Sequence, residues 1–146
     1  MAQAQLTAAP FYREYASFHR DARNRVFHEI GIPLIVLGIV SLLELVKVGP
    51  VDLAIVTIAL VAVFYVMLDP VSAIVALACF VVLYLLGRFV SWPVAIAAFV
   101  AGWIFQFIGH RYEGRNPAFF KNLVHLLVGP LWLCALLVRR TSASQT

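Results

Sequence analysis

The side chains best suited to chemistry in this sequence are its four histidines, His19, His28, His110 and His125. Three of them, His28, His110 and His125, have polar company at helical spacing. In HRDARNRVFHEIGIP, Asn24 precedes His28 by four residues and shares its helix face. Gln106, His110 and Glu113 follow one another at i, i+4 and i+7, and Asn122 stands three residues before His125. Neutral imidazole is the commonest protein ligand for metals and suits iron, zinc, copper or nickel. Asn24, Gln106, Glu113 and Asn122 are the kinds of group that hold the far ring nitrogens of such ligands or position a substrate. The bland alternative is a set of interfacial imidazoles, solvated or bonded to lipid phosphate. His19 and His28 are nine residues apart, about half a turn out of phase on one continuous helix. They meet only if the chain bends between them, and Asp21 or Asn24 is placed to cap a new helix at such a bend.

What must position these residues is a membrane protein. The chain has 146 residues, 63% hydrophobic and only 12% charged, with a mean hydropathy of +0.94. Soluble domains carry about 25% charged residues. No Ser/Gly/Pro-rich linker, repeat or low-complexity run divides the chain, so residues 1–146 are expected to form a single integral membrane domain. The fold expected is all-α, a polytopic helix bundle. Residues 10–28 read as an interfacial amphipathic segment, with Phe11, Tyr15 and Phe18 on one side and Arg13, Glu14 and Ser17 on the other. Residues 31–108 hold a four-helix transmembrane core with spans at 31–46, 51–68, 71–87 and 92–108, each near the lower length limit for crossing. Gly31-Ile32-Pro33 opens the first span and Gly49-Pro50 closes it. Residues 109–122 form a polar loop, and a fifth apolar helix at 123–138 is expected to be broken or re-entrant at Gly129-Pro130.

None of the histidines lies inside the four spans. An even number of crossings separates His28 from His110, so both emerge on one face. The net charge of +4 comes from Arg and Lys at the ends of the apolar runs, which makes that face cytoplasmic by the positive-inside tendency. No basic patch alternates with stacking aromatics, so a nucleic-acid partner is not expected. Cys79 and Cys134 lack metal-type spacing and read as packing residues. Glu44, three residues from Lys47, sits near the outer interface.

Two motifs carry a family resemblance. The segment YREYASFHRDARNRVFHEIGIP, with His19-x4-Asn24-x3-His28-x2-Gly31-x-Pro33, resembles the start of the small membrane proteins related to the yeast 2-hydroxy fatty acid dioxygenase of phytosphingosine degradation. Gln106-x2-Gly109-His110-x2-Glu113, followed by Asn116-Pro117-Ala118, resembles the same family. The resemblance implies an iron(II)-dependent enzyme, with dioxygen as co-substrate, that shortens a 2-hydroxy fatty acid by one carbon and releases carbon dioxide. It implies that His19, His28, His110 and His125 are the catalytic metal ligands. The large membrane hydroxylases carry His-His boxes and about eight ligands for two irons; four histidines suit one. The setting would be a bacterial inner membrane or the endoplasmic reticulum, with homo-oligomerisation open. Two other readings compete: a zinc-dependent lipid hydrolase with Glu113 as general base, and a four-helix transporter or scaffold without catalysis.

Overall fold

The computed structural model describes residues 2–143, with side chains from 9 to 139. It is a helical bundle: α1 (Ala2–Ser17), α2 (Ala22–Leu43), α3 (Leu53–Leu68), α4 (Pro70–Gly87), α5 (Trp92–Glu113) and α6 (His125–Ala143). A two-stranded ribbon, β1 (Lys47–Val48) and β2 (Val51–Asp52), closes the α2–α3 connection, and a 3-10 turn at Ala118–Phe120 lies before α6. The ribbon turns at Gly49-Pro50, where Gly49 takes φ +62°. A glycine at the first central position is what a two-residue hairpin of this hand requires.

Among the described residues α2, α4 and α5 are long and apolar enough to cross a membrane, whereas α3, at 16 residues, and the apolar part of α6 are shorter. The directions of the helices alternate. Gly87 at the end of α4 meets Glu44 at the end of α2. At the opposite end, the Tyr12 hydroxyl of α1 donates to Asp69 between α3 and α4 (3.1 Å). His28 and His110 therefore belong to one end of the bundle and Glu44 to the other.

Three expectations change. Residues 10–28 are not one interfacial element; the chain breaks at 18–21, and everything from Ala22 onward belongs to α2. Asp21 is the N-cap of α2, its side chain accepting from the Arg23 backbone N–H (2.8 Å). Pro33 consequently lies inside the helix rather than at its first turn, at the cost of one i→i−4 hydrogen bond. Finally, α6 runs through Gly129-Pro130 as a continuous helix instead of breaking there. The Tyr65 hydroxyl donates to the Leu127 carbonyl (2.6 Å), three residues before Pro130, and so ties this turn of α6 to α3.

The principal contact in the bundle is the antiparallel pair α2–α5, packed through a seam of small residues. A Cβ added at Gly38 would lie 2.7 Å from the Ala95 carbonyl, one at Gly31 2.8 Å from the Gly102 carbonyl, and one at Gly109 2.6 Å from Asn24 Oδ1. Each step of seven residues forward on α2 is a step of seven back on α5. Close backbone approach through small residues is how helices associate where lipid removes the hydrophobic drive between them. This seam fixes the axial register of His28 against His110.

Candidate metal centre

His19 lies in the bend between α1 and α2, His28 two turns into α2, and His110 in the last turn of α5. All three are buried, and one ring nitrogen from each lies within 4.8 Å of the others. The ring centroids of His28 and His110 are 4.8 Å apart, and those of His19 and His110 4.9 Å.

The local chain dictates which nitrogens face inward. His19 Nδ1 donates to the Tyr15 carbonyl (2.7 Å) and His28 Nδ1 to the Asn24 carbonyl (2.9 Å), each one helical turn back. With both Nδ1 atoms committed as N–H donors, both Nε2 atoms carry lone pairs, and these two atoms are 2.9 Å apart. Two acceptors at that distance repel unless a cation joins them. His110 Nδ1 is also buried without a hydrogen-bond partner. The donor set thus fits a metal ion.

Burial, with the Tyr15 carbonyl opposing it, pushes the His19 imidazole down to about 4, so this ring is neutral at physiological pH. Tyr15 also stacks on His19, with ring centroids 4.1 Å apart, and Trp132 flanks both rings. This aromatic wall shields the ring from water.

The polar neighbours divide into different tasks. Glu113 makes no hydrogen bond to a ring nitrogen. Its carboxylate accepts from the Arg20 and Asp21 backbone N–H groups (2.9 and 2.8 Å) and from Asn24 Nδ2 (3.1 Å). It clasps the end of α5 to the α1–α2 bend, and so sets His110 against His19 and His28. Asn24 serves through its carbonyl, while its side-chain amide bridges the Phe18 carbonyl and Glu113. Gln106 is buried one turn before His110, with Nε2 unpartnered. Asn122 is exposed and local; its side chain accepts from the Val124 N–H and its carbonyl from the His125 N–H. His125 falls outside the three-histidine group but lines the same cavity.

That cavity, of about 280 Å³, has the four histidines and Gln106 at one end and an apolar barrel of Ile35, Ile39, Val40, Ile58 and Val61 beyond. From His28 to Val40 it follows α2 for twelve residues, about 18 Å of helix. His110 also borders a wider, open pocket with Arg111, Arg115 and Asn116. Arg115 is held there by the Ser17 carbonyl (3.0 Å) and the Phe18 ring. Tyr15 and Glu14 take part in this end of the molecule, yet the sequence marks them only as opposite sides of an amphipathic helix. The Tyr15-x3-His19 spacing is the signal that was available for the former.

A buried set of imidazoles at the head of a long apolar slot suits an enzyme of lipid substrates, and the comparisons with known proteins point to relatives named for such an activity. The family model for Mpo1-like proteins, described as 2-hydroxy-palmitic acid dioxygenase Mpo1-like, matches residues 6–141. The 2-hydroxy-palmitic acid dioxygenase MPO1 of Saccharomyces cerevisiae is 32% identical over 120 residues, covering 78% of this chain and 69% of the yeast protein. No solved structure matches the chain significantly. Because the match runs from α1 through α6 and takes in every residue of the histidine cluster, the chain belongs to the Mpo1-like family.

Proposed function

We propose that this protein is an iron(II)-dependent dioxygenase that converts a 2-hydroxy fatty acid to the fatty acid one carbon shorter. The reading rests on one observation above the rest: two imidazole lone pairs forced to within 2.9 Å of each other, with a third imidazole completing the group. Imidazole donors suit iron as well as zinc, and the dioxygenase activity named for the yeast relative favours iron. The reaction balances without an external electron donor: a 2-hydroxy acid and dioxygen give the shortened acid, carbon dioxide and water.

In this reading His19, His28 and His110 hold the ion. Iron(II), when bound, supplies the redox chemistry that couples dioxygen reduction to cleavage of the C1–C2 bond. The chain's own groups do the rest. The Tyr15 and Asn24 carbonyls keep the two Nε2 atoms unprotonated and aimed inward. The glycine seam and the Glu113 clasp hold the three rings in place from separate helices. Burial by Tyr15 and Trp132 keeps bulk water from the head of the site, and the slot beside α2 receives the acyl chain with its carboxyl end toward the histidines.

The zinc hydrolase reading needs Glu113 as a free general base, but both of its oxygens are occupied by donors from the α1–α2 bend. A transporter reading needs an ionisable group at mid-membrane, and Glu44 caps the far end of α2. The test is to purify the protein without oxygen, count metals, and incubate with 2-hydroxypalmitate under air or nitrogen. One iron per chain and oxygen-dependent pentadecanoate are expected. Iron-loaded protein that forms no product in air would reject the proposal.

A further inference from the structure

The fourth imidazole of the cavity has surroundings unlike those of the other three. His125 opens α6, and its side chain is wholly buried. Its Nε2 lies 3.2 Å from the Glu14 carboxylate of α1, an ion-pair distance, though off the line of a hydrogen bond. The other Glu14 oxygen meets Lys121 Nζ at 2.6 Å. His125 Nδ1 is buried without a partner. The Tyr15 ring packs against both His125 and His19, with centroids 5.9 and 4.1 Å away, and no nitrogen of His125 joins the group of three.

We propose that His125 binds the 2-hydroxyl of an α-hydroxy carboxylate substrate, oriented by Glu14, and is not a fourth ligand to the ion; this rests on reading the cavity as a 2-hydroxy fatty acid site. The chemistry follows from the partner. A carboxylate beside Nε2 favours the tautomer with its proton there, and Lys121 keeps Glu14 ionised. In the neutral ring Nδ1 is then a buried acceptor without a protein partner, in a cavity lined mostly by apolar side chains, and an O–H brought in by the substrate would satisfy it. The hydroxyl of a 2-hydroxy acid supplies one; its carboxylate does not, and neither does an unsubstituted fatty acid. His125 accordingly becomes the group that distinguishes 2-hydroxy acids from ordinary ones.

The test uses full-length protein in lipid nanodiscs under nitrogen, with His125→Ala, His125→Gln, Glu14→Gln and His110→Ala. Metal content is measured after iron(II) reconstitution, and binding is titrated with 2-hydroxypalmitate and with palmitate. The His125 variants should retain the wild-type iron content while His110→Ala loses it. Their affinity for 2-hydroxypalmitate should fall about tenfold, with palmitate changed less than twofold. Glu14→Gln, which leaves the ring in place, should give a smaller loss in the same direction. Loss of iron from the His125 variants would make His125 a ligand and overturn the proposal. So would equal weakening toward both acids, the signature of a packing role. Should the wild type take up no iron yet discriminate the two acids through His125, the dioxygenase reading would fail and this assignment would survive.

Discussion

Substituting Gly102 by Ala tests the link between helix packing and the site. A Cβ there would lie 2.6 Å from the Gly31 carbonyl and 2.6 Å from Ile35 Cγ1, whereas ordinary contact begins at 3.4 Å. The shortfall is about 0.8 Å, and its principal obstacle is backbone, which cannot rotate aside, so α2 and α5 must separate by most of that distance. Overpacking of this kind costs about 1–3 kcal/mol in stability. Its larger effect falls on the site, because His28 is three residues from Gly31 on one helix and His110 eight from Gly102 on the other. A displacement of about 1 Å among catalytic groups can cost about 100-fold in rate. Iron retained after dialysis and oxygen-dependent turnover of 2-hydroxypalmitate should both fall, turnover by about 10- to 100-fold, with helical circular dichroism preserved. Gly38→Ala is the companion, since its Cβ would meet the Ala95 carbonyl at 2.7 Å but ten residues, about 15 Å, from His28. It should destabilise comparably and impair turnover far less. Gly102→Ala with iron content and turnover within twofold of wild type would refute the coupling of the seam to the site.

Three further outcomes are expected. The His19 ring, lowered from 6.5 to about 4 by burial, stays neutral in the folded protein down to that pH. The His19 ring signals followed by NMR in metal-free protein should therefore show a titration midpoint near 4; a midpoint near 6.5 would contradict the burial argument. Between pH 6.5 and 4 the unfolded chain binds the extra proton, so the His19 contribution to stability is complete above 6.5 and declines by up to about 3 kcal/mol as the pH falls to 4, measurable by denaturation across that range. Gln106→Leu removes a buried, unpartnered amide facing the cavity, so iron content should hold while the KM for 2-hydroxypalmitate rises about tenfold; loss of iron instead would assign Gln106 to supporting the metal. Tyr65→Phe removes the buried hydroxyl that ties α3 to the Leu127 carbonyl of α6 and should lower the thermal midpoint by an amount equivalent to about 1–2 kcal/mol, with an unchanged midpoint showing that this bond adds nothing to stability.

Much of this arrangement is legible in the chain. Asp21 between two histidines that are half a turn out of phase marks the bend, and it is the cap that starts α2. The four apolar runs, by their even number, put His28 and His110 at one end. Other features stay hidden because they depend on pairings across the bundle. Pro33 suggests a helix start, but the cap at Asp21 and the packing along α5 extend α2 past it. Glu113 and His110 share a face, yet Glu113 turns to the free N–H groups of the α1–α2 bend, which only a contact across the bundle brings within reach. Glu14 belongs to the polar side of α1, and its meeting with His125 follows only from how α1 packs on α6. The glycine seam is written openly as Gly31, Gly38, Gly102 and Gly109, but a spacing of seven gains meaning only when the two helices are known to be neighbours.

The seam also sets an order of events during synthesis. It joins helices about seventy residues apart in sequence, with α3 and α4 inserted between them. A nascent chain that has threaded only its first segments into the bilayer presents two unsatisfied imidazoles and no third. The three-imidazole group is therefore complete only after α5 has been delivered, and on the proposed function an ion would be held only once the chain has its walls.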